Sequence, residues 1–203
     1  MTSGLARYLA APRTGAPTPV ERCELCGVTV PDAHRHLVDL DRRDLLCACQ
    51  ACALLFSDPG AGRYRLIPDR VRSAADAALT DAEWEDLQIP VGMAFFFRHS
   101  TLGRWAAFYP SPAGATESVL ALDAWRAVVD RSPTLSALTP DTEALLVRRT
   151  RDRSDSYVVP IDTCYLLVGL VRTLWRGFDG GREVHDAIDS FFAGLDRRAT
   201  EAA

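Results

Sequence analysis

The chain has 203 residues, 48% hydrophobic and 25% charged, enough for one substantial core and a small appended module. Its net charge of −4 gives no electrostatic reason for a nucleic acid or an acidic membrane surface as partner. All 23 basic residues are arginines and asparagine is absent, a bias that reads as codon usage of a GC-rich genome.

Residues 1–21 are rich in Ala, Pro, Thr and Gly and bury too little surface to order themselves, so they are expected to be a flexible lead. Neither a signal peptide nor an apolar run long enough to span a bilayer is visible, so the expected location is cytoplasmic and no membrane insertion is expected.

The strongest chemical signal follows. Between Glu21 and Phe56 lie five of the six cysteines and two of the four histidines. Cys23-Glu24-Leu25-Cys26-Gly27 and Cys49-Gln50-Ala51-Cys52 are paired Cys-x2-Cys knuckles, and a hairpin can return the chain across the 22 residues between them. Four thiolates so placed suit one tetrahedral ion. In a chain without a secretion signal, such pairs point to metal and not to disulfides.

Zinc held by Cys23, Cys26, Cys49 and Cys52 is therefore expected. The alternative is iron, as a single ion or an iron–sulfur cluster. Rubredoxin-type sites have glycine after both knuckles, whereas here Gly27 follows the first and Ala53 the second. Cys47, His34 and His36 are possible alternates. Cys47 and Cys49, two apart, would share one side of a strand, although Cys47 also reads as a core thiol beside Leu45-Leu46. His34 and His36 can complete a site, bind a second ion, or hydrogen-bond from outside the ligand shell. A treble-clef nuclease is disfavoured, because Ala53-Leu54-Leu55-Phe56 replaces the polar catalytic position after the second knuckle. Residues 21–72 also carry eight acidic and eight basic side chains, not a cationic face.

Around these ligands, Val28–Val30, His36–Leu40, Arg43–Leu46 and Arg63–Ile67 read as strands, and Ala53–Phe56 as a helical turn or a buried strand. A polar link, Asp69–Leu79, leads to Thr80-Asp81-Ala82-Glu83, a capping box opening a short helix. Val91–Phe97 is a continuous apolar run of the kind found in a strand covered on both faces. Arg104–Tyr109 is its hairpin partner and Pro110–Ser118 is a loop. A helix over Asp123–Asp130 follows, then strands Ala144–Arg149 and Tyr157–Ile161. Asp162 is placed to cap Thr163–Trp175, a helix apolar on nearly every side and so buried. Arg182–Arg198 is amphipathic. The expected fold is α+β. A small zinc-ribbon- or treble-clef-like four-cysteine module (residues 22–72) precedes a mixed α+β domain with hairpins and a buried helix (residues 80–198).

In that second domain, Ser111, Thr116, Glu117 and Ser118 have catalytic residue types without a Gly-x-Ser-x-Gly elbow. Arg172, Trp175 and Arg176 could form an anion site or simply finish a helix. An enzyme using either place is one alternative, but no nucleophile–base–orienter set can be assembled from them, and no catalytic residue is assigned.

Longer stretches carry a resemblance: CELCG, HRHLVD and LLCACQACALLF, then RYRLIPDRV, LQIPVGMAFFF, YPSPAGATES, EALLVRR and VPIDTCYLLVGLVRTLWRG. Together they resemble an uncharacterised bacterial domain-of-unknown-function family whose genes sit beside those of nickel–iron hydrogenases, and they span most of residues 22–195. The resemblance implies an accessory role, with a hydrogenase subunit or maturation factor as partner: assembling or maturing the enzyme through protein–protein contacts, or supplying electrons to it as a rubredoxin-like carrier. It carries no catalytic residues.

Overall fold

The computed structural model describes residues 20–58, 62–118, 122–150, 153–177 and 179–201. Nearly all of the expected flexible lead, residues 1–19, lies outside them. Two antiparallel sheets organise the molecule. β1 (Arg35–Asp39), β2 (Asp44–Ala48) and β3 (Tyr64–Leu66) form the first, in the order β2-β1-β3. The second has six strands: β4 (Arg72–Ser73), β5 (Met93–His99), β6 (Arg104–Ser111), β7 (Gly114–Ser118), β8 (Glu143–Arg149) and β9 (Ser154–Pro160). Their order is β4-β9-β8-β5-β6-β7. The expected mixed α+β class is what the structure has.

Period-two alternation explains how the large sheet is covered. Phe95 and Phe97 of β5, Ala144 and Leu146 of β8, and Tyr157 and Val159 of β9 point to one face. There they meet α5 (Ile161–Leu174) and α6 (Gly181–Glu201) through Cys164, Leu167, Val168, Val184, Ile188 and Phe192. Ala94, Phe96, Leu145, Val147 and Val158 point to the other face, where Trp125, Val128 and Leu135 cover them. These come from α3 (Leu122–Arg131) and α4 (Pro133–Ser136). The apolar run read as a strand covered on both faces is one.

The small sheet alternates in the same way. Leu37 and Ala48 turn outward to Ala53 of α1 (Gln50–Leu55), while Val38 and Leu45 turn inward and join the core of the large sheet. Val38 and Leu45 are cross-strand partners, as are His36 and Cys47, so all four side chains face the body.

Several elements differ from expectation. Val28–Val30 is too short a ribbon to be a strand: Thr29 forms a single bridge with Arg22, because the chain turns tightly about the first knuckle. The polar link contributes the edge strand β4 and a 3-10 turn, Ala75–Ala77, and buries Val71, Ala74, Ala77 and Leu79. The capping box forms at α2 (Asp81–Asp86), with Thr80 and Glu83 each accepting the other's amide. Pro110–Ser118 is not a loop but the end of β6, the turn and all of β7. Asp162 does not cap α5. Pro160 ends β9 and leads straight into the helix, the Ile161 amide bonding the Thr142 carbonyl at 2.9 Å, which places Asp162 inside the first turn.

Candidate metal centre

The first knuckle is a tight turn held by its own backbone. The Gly27 amide donates to the Cys23 carbonyl and the Cys23 amide to the Val28 carbonyl, both at 2.8 Å. Gly27 has φ of +78°, the left-handed geometry that an L side chain rarely adopts. The second knuckle opens α1. Cys49 is its N-cap, and its sulfur accepts the Cys52 amide at 3.4 Å. The β1–β2 hairpin lies between the knuckles and returns the chain. Glu24 clamps them together: its amide donates to the Cys47 carbonyl (2.9 Å) and its carboxylate accepts the Cys47 amide (2.8 Å).

The four sulfurs of Cys23, Cys26, Cys49 and Cys52 consequently lie within 4.8 Å of one another. Cys26 and Cys49 are 3.7 Å apart. A tetrahedron with zinc–sulfur bonds of about 2.3 Å has an edge of about 3.8 Å, whereas a disulfide requires about 2.05 Å. None of the six cysteines is in a disulfide.

Electrostatics favour a cation here. Burial pushes the Cys23 thiol up, but the amides of Cys49, Cys26 and Leu25 outweigh it and bring the group down to about 6. Burial and the thiols of Cys26, Cys49 and Cys23 push Cys52 up to about 12. The Cys26 thiol is also raised, chiefly by Cys23, against the pull of the Val28 amide. One thiolate thus forms easily and opposes ionisation of its neighbours. A divalent ion at the centre removes that conflict, and the donor set fits one.

His34, His36 and Cys47 form a group of their own, their ligand atoms also within 4.8 Å of one another. Cys47 is buried, as the core reading required. His36 Nδ1 sits 2.8 Å from Asp162 Oδ2, linking the hairpin to α5. Sequence reasoning missed that pairing, because nothing local announces a partner 126 residues away.

The residues weighed for enzymatic chemistry bond within the β6–β7 hairpin and at the end of α5. Ser111 Oγ lies 3.0 Å from both the Gly114 carbonyl and Thr116 Oγ1, closing the β6–β7 hairpin. Glu117 pairs with Arg104 across the strands at 3.0 Å. Arg176 donates to the carbonyls of Thr173 and Trp175, both at 2.9 Å, finishing α5. A cavity of about 600 Å³ lies elsewhere, between the hairpin and the start of α5, with His34, His36, Cys49, Asp162 and Thr163 in its lining. No helix among the described residues is long and apolar enough to cross a membrane.

Fold and site together define an α+β protein with a cluster of four thiols close enough together to hold a metal ion. The chain belongs to the family of unknown function DUF5947, which it matches over residues 22–199. Neither a curated protein nor a solved structure matches it.

Proposed function

We propose that Cys23, Cys26, Cys49 and Cys52 hold a structural zinc ion in a treble-clef-like module. In this reading the protein is a cytoplasmic accessory factor that assists assembly or maturation of a nickel–iron hydrogenase through protein contacts. The observation that carries the metal reading is the convergence of four sulfurs from two hydrogen-bonded knuckles. The order knuckle, hairpin, helix, with the second ligand pair opening the helix, supports the treble-clef description. A closed four-thiolate shell leaves no open position, so the zinc acts as a fold staple.

Protein contacts are supported by the exposed apolar side chains Val28, Leu54 and Leu55, which follow the two knuckles in the chain. The hydrogenase as partner rests on the resemblance of the sequence stretches alone. The test is metal analysis and a visible spectrum on protein purified without oxygen, followed by co-purification with the hydrogenase subunits. One zinc at the four-thiol site, lost in Cys49→Ser, is expected, together with retention of a hydrogenase component. Full zinc content in Cys49→Ser would sink the ligand assignment.

A second reading is a rubredoxin-like electron carrier. The hydrogen bonds from amides to Cys23 and Cys49 favour it, since such bonds to thiolate sulfurs tune the potential of an iron centre. Absorbance bleached by dithionite would select it over zinc.

A further inference from the structure

The body-facing side of the β1–β2 hairpin carries a second constellation of ligand atoms. His36 and Cys47 are direct cross-strand partners, and His34 precedes His36 by two residues. The side chains of His34 and His36 are 3% and 17% exposed, and Cys47 is 1% exposed. Ligand atoms of all three lie within 4.8 Å of one another.

Both imidazoles have Nδ1 engaged, which leaves Nε2 as the nitrogen for a metal. His34 Nδ1 is 2.8 Å from the Pro31 carbonyl, which can only accept, and 3.7 Å from the Glu21 carboxylate, so Nδ1 carries the proton and in the neutral ring Nε2 has a bare lone pair. The Asp162 carboxylate at 2.8 Å does the same for His36. Carboxylate or carbonyl behind imidazole is the arrangement that fixes the tautomer and raises the basicity of metal-bound histidines. His34 Nε2 is moreover buried and has no hydrogen-bond partner among the described residues. Such an orphaned acceptor calls for an explanation, and a cation supplies one.

We propose that His34 Nε2, His36 Nε2 and Cys47 Sγ form a second metal site, distinct from the four-thiol cluster, for a divalent first-row ion of borderline softness such as Zn²⁺ or Co²⁺. Two imidazoles and one thiolate suit such ions. Three protein ligands leave a fourth position open. His34 and His36 also line the cavity of about 600 Å³, so that position is available to water or a small anion. Three ligands and an open position mark an exchangeable or reactive ion, in contrast to the closed four-thiolate shell. Asp162, which touches His36 and not the ion, is a positioning residue.

The test is titration of the metal-stripped, reduced full-length protein with Co²⁺, followed by absorbance. Two equivalents are expected: one with the intense charge-transfer bands of a tetrathiolate site, one with weaker bands that shift on adding azide. His36→Gln should abolish the second equivalent and spare the first, whose bands also report that the module is folded. Asp162→Asn, which removes no ligand, should weaken the second equivalent about 10–100-fold and decides the matter if His36→Gln fails to fold. Saturation of the wild-type protein at one tetrathiolate equivalent, two equivalents in His36→Gln, or unchanged affinity in Asp162→Asn would overturn the proposal. Loss of only the tetrathiolate bands would instead strike at the four-cysteine zinc reading.

Discussion

The outer face of the three-stranded sheet buries Leu37, Ala48 and Ala53, whereas the six-stranded sheet buries aromatic and branched side chains on both of its faces. The strands of both sheets alternate in the same way. What differs is the apolar area available to each face. At about 25 cal/mol per Å², these three small or medium side chains, with the partly buried Leu25, Leu46, Phe56, Tyr64 and Leu66 packed on them, do not offset the entropy of ordering a hairpin, a knuckle and a short helix. The body has layers of helices on either side to do so. A chain that builds its module on so little core needs a further constraint there, and the four thiols stand where it would act.

The largest effect that can break this comparison is metal removal. Structural zinc in small modules carries an apparent binding free energy of about 10–16 kcal/mol near neutral pH. After chelation under reducing conditions, the amides of β1 and β2 should lose their protection against hydrogen exchange. Those of β8, at the centre of the large sheet, should keep theirs. Hydrogen-exchange mass spectrometry reads both at once. Equal loss in the two regions would show that the body depends on the metal as well. No loss in either would show that Val38 and Leu45, inserted into the body's core, suffice to hold the hairpin.

The converse prediction concerns the body. Phe96 is fully buried and stacks on Trp125, ring centroids 4.3 Å apart, between the central strand and α3. Phe96→Ala should cost about 3–5 kcal/mol in urea denaturation, a large share of a typical domain's stability. Metal stoichiometry below the transition should not change, since Phe96 lies in the cluster on the opposite face of the large sheet, none of whose members comes from the four-cysteine module. A fall in bound metal under native conditions would make module and body a single cooperative unit.

How legible each region was in the sequence follows the same division. The four-cysteine cluster could be read because both pairs are local and their spacing carries chemistry without further context. Val91–Phe97 could be read because a strand covered on two faces has no polar positions to confuse the period. Pro110–Ser118 was opaque for the opposite reason: its Pro, Gly, Ser and Thr residues match loop composition. Yet Pro110 lies beyond Phe108, the last β6 residue paired with β5, where a missing amide costs that ladder nothing. The grouping of His34, His36 and Cys47 needed the register of β1 against β2, and the Asp162 contact needed the docking of α5 on the hairpin. Neither is encoded in a spacing.

The smallest effect lies at the turn joining β1 to β2 and sharpens the account of what holds the module apart from metal. Asp39 is 1% exposed, and its Oδ1 accepts the amides of Asp41 (3.1 Å) and Arg42 (3.2 Å), as well as Arg63 Nε at 2.6 Å. Arg63 also contacts Asp39 Oδ2 and lies 3.3 Å from Asp41. The Arg63 guanidinium, against the cost of burial and with the help of the two amides, holds the Asp39 carboxyl below the usual carboxylate range. A depressed pKa in the folded state means that the ionised form stabilises the fold. That contribution is complete above the unfolded value near 4 and is lost as pH falls through the folded value. Asp39→Asn retains an oxygen for the two amides but gives up the charge facing Arg63. It should therefore be less stable than wild type by about 1–3 kcal/mol at neutral pH. The gap should close as acid protonates Asp39 in the wild-type protein. On the metal-site reading, any release of metal on thiolate protonation would be common to both proteins and would cancel in this difference. Urea denaturation of the pair at several pH values isolates the contribution of one carboxylate. A gap that stayed constant into acid would mean that Asp39 acts through its shape and hydrogen bonds, and that its charge contributes nothing to the turn.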